Sequence, residues 1–164
     1  MDGLWGGDAP VPNLKCECDG YIGYTYNQGL LLGALIALEE IDPDQGYCER
    51  SQKLAEAGIC QLVDRCGILV EACEVSGPPC NDDQLQFKGI FMRYLRDLMD
   101  NTKAYKAEYQ TFIARNAYAI CNNNKMENDG HIYFGPHWNG PLWSQANINP
   151  ICHTYALEGI IAAI

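Results

Sequence analysis

The sequence predicts an all-α fold, on the evidence of two contrasting kinds of helix and the lack of any convincing strand. Residues 26–41 are apolar almost all round, which indicates a helix that is buried on most faces. Residues 47–65 carry one apolar stripe among charged side chains, which is typical of a surface helix. Inner helices covered by outer helices form an α/α toroid, although the same periodicity is compatible with a plain helical bundle.

The first half of the chain divides at local breaks. Residues 1–25 are rich in glycine, proline and aspartate and predict an irregular segment, with Cys16 and Cys18 as anchors. Pro43 and Gly46 then separate the first two helices.

The second half of the chain contains sequence signals for helix caps and turns. Asn81 and Gln84 have the spacing of a capping box and predict the start of a third helix. A fourth helix is predicted over 103–122 and an apolar one over 153–164. The loop-rich stretch between them includes a turn at Asp129-Gly130.

Composition and charge narrow the function classes. The 164 residues are 48% apolar and 20% charged, which fits one globular domain. A formal net charge of −10 disfavours nucleic acid and anionic membranes as partners. No transmembrane segment is predicted, because the longest apolar run, residues 29–38, is half of the roughly 20 residues that a span needs. The first residues have neither the basic nor the apolar region of a signal peptide.

The nine cysteines favour disulfides over a structural zinc site. No two of them have the C-x-x-C spacing typical of structural zinc. Cys73 and Cys80 bracket a short loop and are the favoured disulfide pair. No metal or other cofactor is predicted: the three histidines and Cys152 lack ligand spacing, and neither a P-loop nor a G-x-S-x-G motif occurs. The histidines are His131, His137 and His153.

Aromatic, amide and charged side chains recur at the helix starts and in the long loop. Sugar sites need this mixture, because aromatic faces cover the C–H face of a pyranose and polar groups take its hydroxyls. Ordinary helix packing is the alternative explanation. The candidates are Tyr26, Asn27, Gln28, Lys88, Arg93 and Trp138.

Four blocks resemble glycoside hydrolase family 76 in order and spacing. They are Tyr-Asn-Gln-Gly at 26–29, Gly-Ile-Leu-Val-Glu-Ala-Cys at 67–73, Cys-Asn-Asp-Asp at 80–83 and Phe-Lys-Gly-Ile-Phe-Met-Arg-Tyr-Leu at 87–95. The resemblance implies an (α/α)6 barrel that cleaves α-1,6-linked mannan with retention at the anomeric carbon. It also implies an extracellular or cell-wall location and α-mannan, or a mannose-containing oligosaccharide, as the partner.

One feature of the family pattern is missing. The family's catalytic Asp-Asp pair precedes the Tyr-Asn-Gln-Gly block, yet no such pair occurs in the 23 residues before Tyr24. Asp82-Asp83 is not its equivalent, because its surroundings match a downstream block, and first-turn carboxylates are explained by the helix dipole. The resemblance therefore implies that residues 1–164 form the C-terminal part of the barrel, with no catalytic residue and with the N-terminal half as a further partner.

The chemistry of the sugar-binding candidates and their positions in the motifs suggest a role for each. Tyr26, Asn27 and Gln28 would line the sugar-binding groove. Lys88 and Arg93 would organise the wall of this groove, and Trp138 would be a stacking platform. Two alternatives stay open at this point: a transglycosidase acting on the glycan of GPI anchors in the cell wall, and a non-catalytic mannan-binding module.

Overall fold

Helices dominate the structure, a computed structural model that describes residues 23–75, 79–101, 106–140 and 148–164. The all-α class is confirmed. The irregular segment and its anchors, Cys16 and Cys18, lie almost wholly outside the described residues. The helices are α1 (Thr25–Ile41), α2 (Tyr47–Gln61), α3 (Ala72–Val75), α4 (Phe87–Asn101), α5 (Ala107–Asn123) and α6 (Pro150–Ile161), and a 3-10 turn (Gln84–Gln86) leads into α4.

Helices α1, α4 and α6 run parallel to one another. Gly29 packs against the backbone of Phe91, and Gly33, one turn later, packs against Tyr94, so the contact advances in the same direction along α1 and α4. In the same way, α4 meets α6 first where Gly89 packs against Tyr155 and then where Arg96 donates a 3.0 Å hydrogen bond to the Ala162 carbonyl. The N-termini of all three helices therefore lie at one end of the fold.

Helices α1, α4 and α6 form an inner row. Helices α2 and α5 cover this row and run in the opposite direction. The backbone N–H of Cys48, at the start of α2, donates to the Glu39 carboxylate near the end of α1. On α5, Ile113 lines the same cavity as Ala162, just past the end of α6, while Ile120, two turns later, packs against Gly159, which lies earlier in α6. The buried face of α2 includes Leu54 and Gly58, which confirms the predicted one-sided surface helix.

The predicted burial of α1 on most faces is wrong for this chain. One face is buried and includes Leu32 and Ile36, but Leu30, Leu38 and Ile41 are 48%, 40% and 79% exposed. The elements that the structure describes cover one side of the inner row and leave this edge of α1 uncovered. None of the helices in the described ranges is long and apolar enough to cross a membrane.

A short β-hairpin was not predicted. Strands β1 (Lys125–Asn128) and β2 (His131–Phe134) pair antiparallel and are joined at Asp129 and Gly130, which have φ values of 50° and 75°. The turn matches the prediction for these two residues. Four-residue strands of mixed polarity show too little alternation to be recognised from the sequence.

The starts of α1 and α2 were predicted to within one residue, at 26 and 47, but those of α4 and α6 were not. Helix α4 begins at Phe87, after the 3-10 turn, and not directly at the predicted capping box. Asn81 Oδ1 accepts from the Gln84 N–H at 2.9 Å and the Gln84 side chain accepts from the Asn81 N–H at 3.0 Å, which confirms the capping box. Helix α6 begins at Pro150, not at 153, because Asn149 caps it and proline is well suited to the first turn.

Candidate active-site end

The candidate site lies at the end where the three inner helices begin. Tyr26 and Asn27 lie in the first turn of α1, and Lys88 lies in the first turn of α4. The loop that follows β2 crosses the same end, because the Lys88 ammonium donates a 2.6 Å hydrogen bond to the Pro136 carbonyl. Side chains far apart in sequence are thus gathered beside helix N-termini, which favour hydrogen-bond acceptors and negative charge.

One part of this end is aromatic. The rings of Tyr26 and Phe87 lie 4.0 Å apart between centroids, and the Tyr24 ring meets Phe87 edge-on at 5.6 Å. Next to them, the Asn27 amide nitrogen is buried and has no hydrogen-bond partner among the described residues. An unsatisfied buried donor is costly unless a ligand or water takes the hydrogen bond.

The other part is a charged cluster built on Lys88. Its side chain is 3% exposed, and Nζ lies 2.5 Å from Oε1 of Glu74, whose side chain is 5% exposed. The ammonium also lies 5.0 Å from the centre of the Trp138 ring, within cation–π range. Burial opposes the charged form of Glu74, but Lys88 and the hydrogen bond to His137 outweigh it and lower the pKa of Glu74.

A second glutamate in the cluster is held in its neutral form. Glu71 is 1% exposed, and burial raises its pKa from 4.5 to about 8, against the opposing effects of Thr25 and Lys88. Its carboxyl group accepts the Thr25 hydroxyl and, at 3.3 Å, the Thr25 backbone N–H. Since Tyr24 makes no side-chain cap, Glu71 caps α1 from another part of the chain.

Residues 135–140 are held by hydrogen bonds at both ends. Asn124 is fully buried and accepts the Gly135 N–H at 3.1 Å while donating to the Gly135 carbonyl at 2.6 Å. Asn139 donates to Asp64 Oδ2 at 2.7 Å. Between these points, His137 Nδ1 lies 3.2 Å from Glu74 Oε2, and the imidazole is 43% exposed.

The structure brings together most of the predicted sugar-binding residues but not all of them. Lys88 and Trp138 are in contact, and the Tyr26 ring packs at a 34° tilt on Phe87, the residue next to Lys88. Arg93 lies away from the cluster, 48% exposed, and pairs with Glu158 of α6 at 3.1 Å. Gln28 and Trp138 are 0% and 2% exposed, so they pack the site from behind, and the Trp138 ring is not open as a stacking platform.

Three residues of the cluster were missed in the sequence. Glu71 belongs to the block at 67–73 that resembles the family and Glu74 follows that block directly, but their burial depends on the tertiary fold. His137 was considered only as a metal ligand. Within the described ranges, no three side chains of histidine, cysteine, aspartate or glutamate come together as a metal site would need.

The predicted Cys73–Cys80 disulfide is confirmed and fastens α3 to the segment before α4. Replacing both cysteines with serine is expected to lower the free energy of unfolding by about 2 kcal/mol, because an open loop of this length gains chain entropy on unfolding. Chemical denaturation of the oxidised wild type and the double variant measures this. Reduced wild-type protein should match the variant, and equal stability in all three samples would contradict the prediction.

Parallel inner helices covered by antiparallel outer helices, with the polar site at the N-terminal end of the inner row, have the architecture of part of an α/α barrel. The family model for glycosyl hydrolase family 76 matches residues 13–163. The chain therefore belongs to glycosyl hydrolase family 76.

Two curated relatives carry the name mannan endo-1,6-alpha-mannosidase DCW1. The one from Candida glabrata is 27% identical over 132 residues, which is 78% of this chain and 29% of the relative. The one from Saccharomyces cerevisiae is 28% identical over 120 residues, which is 73% of this chain and 26% of the relative. The chain thus spans less than a third of the length of either relative.

Solved structures show the same fold. The Lin0763 protein of Listeria innocua superposes with a TM-score of 0.79 at 24% identity, over 99% of this chain and 42% of that protein. An α-1,6-mannanase of a Salegentibacter species superposes with a TM-score of 0.70 at 22% identity, over 86% of this chain and 39% of that one. The latter is an inactive variant, with two consecutive aspartates replaced by asparagine, in complex with α-1,6-mannotriose.

Proposed function

We propose that this chain is part of a glycoside hydrolase that cleaves the α-1,6-linked backbone of mannan, as a mannan endo-1,6-α-mannosidase. The observation that carries the proposal is the family match over residues 13–163. The names of the two yeast relatives and the mannotriose bound to the Salegentibacter enzyme support this substrate class. The disulfide and the yeast relatives support an extracellular or cell-wall location.

In this proposal, the first turn of α1 contributes to the sugar-binding groove. The half-buried Tyr26 ring, supported by Phe87, supplies a flat apolar surface for the C–H face of a mannose residue. The Asn27 amide nitrogen is buried and unpaired among the described residues, and in this proposal its side chain turns toward the groove when sugar binds and donates a hydrogen bond to a hydroxyl. These contacts bind and orient the sugar, while bond cleavage needs two carboxylates at the scissile bond.

We place the two catalytic carboxylates outside this sequence. The chain covers 29% or less of the curated relatives, and the inactive Salegentibacter variant lacks two consecutive aspartates. Asp82 and Asp83 are exposed and precede the 3-10 turn before α4. The exposed apolar side chains of α1 and α6, Ile41 and Ile161 among them, support a further proposal that more helices of the ring cover these edges.

The test is the release of new reducing ends from linear α-1,6-mannan. We expect none from residues 1–164 alone and clear release from the longer gene product that includes a preceding Asp-Asp pair. In the longer protein, Asn27→Ala should raise KM about three- to tenfold, because it loses one hydrogen bond to the sugar. Asn101→Ala, at the opposite end of α4, is the matched control and should leave KM unchanged.

Two outcomes would contradict the proposal. Hydrolysis by residues 1–164 alone would place the catalytic carboxylates within this sequence, and Asp82 and Asp83 would be the first to replace. A longer gene product that neither binds nor cleaves the mannan would refute the substrate class.

A further inference from the structure

We propose that His137 is a substrate-contacting residue whose Nε2 accepts a hydrogen bond from a hexopyranose hydroxyl, and that the buried Glu74–Lys88 pair positions its ring. The substrate in this inference rests on the proposed function. The orientation of the ring by Glu74 does not, and it can be tested without any sugar.

The hydrogen bonds of Glu74 fix which nitrogen of His137 carries the proton. Glu74 Oε1 accepts from the Lys88 ammonium and, at 3.0 Å, from the Glu71 backbone N–H. Oε2 lies 3.2 Å from His137 Nδ1. An ionised carboxylate can only accept, so Nδ1 must be the donor in this contact. In neutral His137 the lone pair is therefore on Nε2, on the other side of the ring.

Exposure separates the contacting residue from the residues that position it. The side chains of Glu74 and Lys88 are 5% and 3% exposed, so neither can reach a polysaccharide directly. The His137 side chain is 43% exposed, and its Nδ1 faces the buried carboxylate. Nε2 therefore lies on the side that is open to a ligand. This is how a buried carboxylate orients a functional imidazole in many enzyme sites.

The loop that carries His137 is fixed before any ligand arrives. Asn124 holds Gly135 by two hydrogen bonds, and Asn139 is bound to Asp64. The Gly140 N–H closes a turn onto the His137 carbonyl at 2.8 Å. A side chain on such a loop loses little conformational freedom on binding, so its hydrogen bond contributes more fully to affinity.

The acceptor on His137 complements the donor on Asn27. A sugar hydroxyl both donates and accepts, so a mannose chain needs both kinds of partner. Asn27 offers an N–H that has no partner among the described residues, and His137 offers a lone pair. Through Lys88, His137 belongs to the same helix end as Asn27. Loss of the acceptor should weaken binding of the sugar without removing the groups that break the bond.

The tautomer provides the first test, with an internal control. The sequence has three histidines, and His153 Nδ1 accepts the Phe134 N–H at 3.3 Å, which leaves the His153 proton on Nε2. Long-range ¹H–¹⁵N NMR of the full-length protein near pH 8 should therefore show opposite neutral tautomers for His137 and His153. The spectrum of His137→Gln assigns the signal. Neutral His137 protonated on Nε2 in the wild type would overturn the positioning by Glu74.

The contact with substrate is tested by kinetics on linear α-1,6-mannan. His137→Ala in the full-length protein should raise KM about five- to tenfold with kcat changed less than twofold, because one ground-state hydrogen bond is lost. Glu74→Gln should raise KM in the same direction and redistribute the His137 tautomers. His131→Ala, on the exposed hairpin, is the control and should leave both constants unchanged.

The outcomes distinguish this inference from the proposed function. Unchanged KM in His137→Ala, in a protein that cleaves mannan, would overturn the contact and leave the proposed function intact. Wild-type protein that shows the expected tautomers but neither binds nor cleaves mannan would refute the proposed substrate, and with it the contact, while supporting the positioning of the ring.

Discussion

Replacing Lys88 with methionine is expected to lower the free energy of unfolding by about 3–5 kcal/mol, because the change removes one partner of a buried ion pair. Methionine retains an unbranched chain of similar length, so the substitution mainly tests the charge. Glu74, 5% exposed, would keep a carboxylate without its cation, and the Pro136 carbonyl would lose its donor. Denaturant unfolding of wild-type and variant protein at the same pH measures the loss.

The matched control is another ion pair on the same helix. Arg93 pairs with Glu158 at 3.1 Å, but their side chains are 48% and 23% exposed, so Arg93→Met should cost less than about 1 kcal/mol. Adding Glu74→Gln to Lys88→Met should recover part of the loss, since the stranded charge disappears. Equal losses in the Lys88 and Arg93 variants, or no recovery in the double variant, would contradict a buried and mutually dependent pair.

Local signals explain why much of the fold was predictable. The Asn81 and Gln84 capping box, the Cys73–Cys80 bridge and the Asp129-Gly130 turn each depend on residues within seven positions of one another. Burial of α1 could not be predicted in the same way. Its apolar residues show which surfaces avoid water, but which of them are covered depends on helices elsewhere in the fold.

The site shows the same division between local and tertiary information. The choice of Lys88 followed from its block, yet the same block also suggested Arg93. Lys88 and Arg93 are five positions apart on α4, so their side chains point roughly 140° apart around the helix axis. They therefore cannot both face one narrow site. Glu74 and His137 are 63 positions apart and meet only because the loop after β2 crosses the starts of the inner helices. Neither residue carries a local signal for that contact.

The protonation of Glu71 is expected to make the free energy of unfolding depend strongly on pH. Its pKa of about 8 in the folded protein compares with an ordinary value of 4.5, so between these values the folded state holds a proton that the unfolded state releases. The free energy of unfolding must therefore fall as pH rises through this window, by up to about 1.4 kcal/mol per pH unit from this one group. Glu71→Gln cannot ionise and should lack this part of the decline.

The measurement is denaturant unfolding of wild type and Glu71→Gln at pH 5, 7 and 9. The two proteins should differ little at pH 5, where the folded wild type is neutral at this position, and the variant should be the more stable at pH 9. Glu74 and Lys88, the charged neighbours in the cluster, are present in both proteins, so the comparison reports the loss of the Glu71 carboxyl together with its coupling to these two groups. Glu49→Gln, on the exposed face of α2, is the control and should run parallel to wild type. Parallel curves for wild type and Glu71→Gln would mean that the carboxyl beside Thr25 is ionised in the folded protein, and that the cap of α1 is then a charged one.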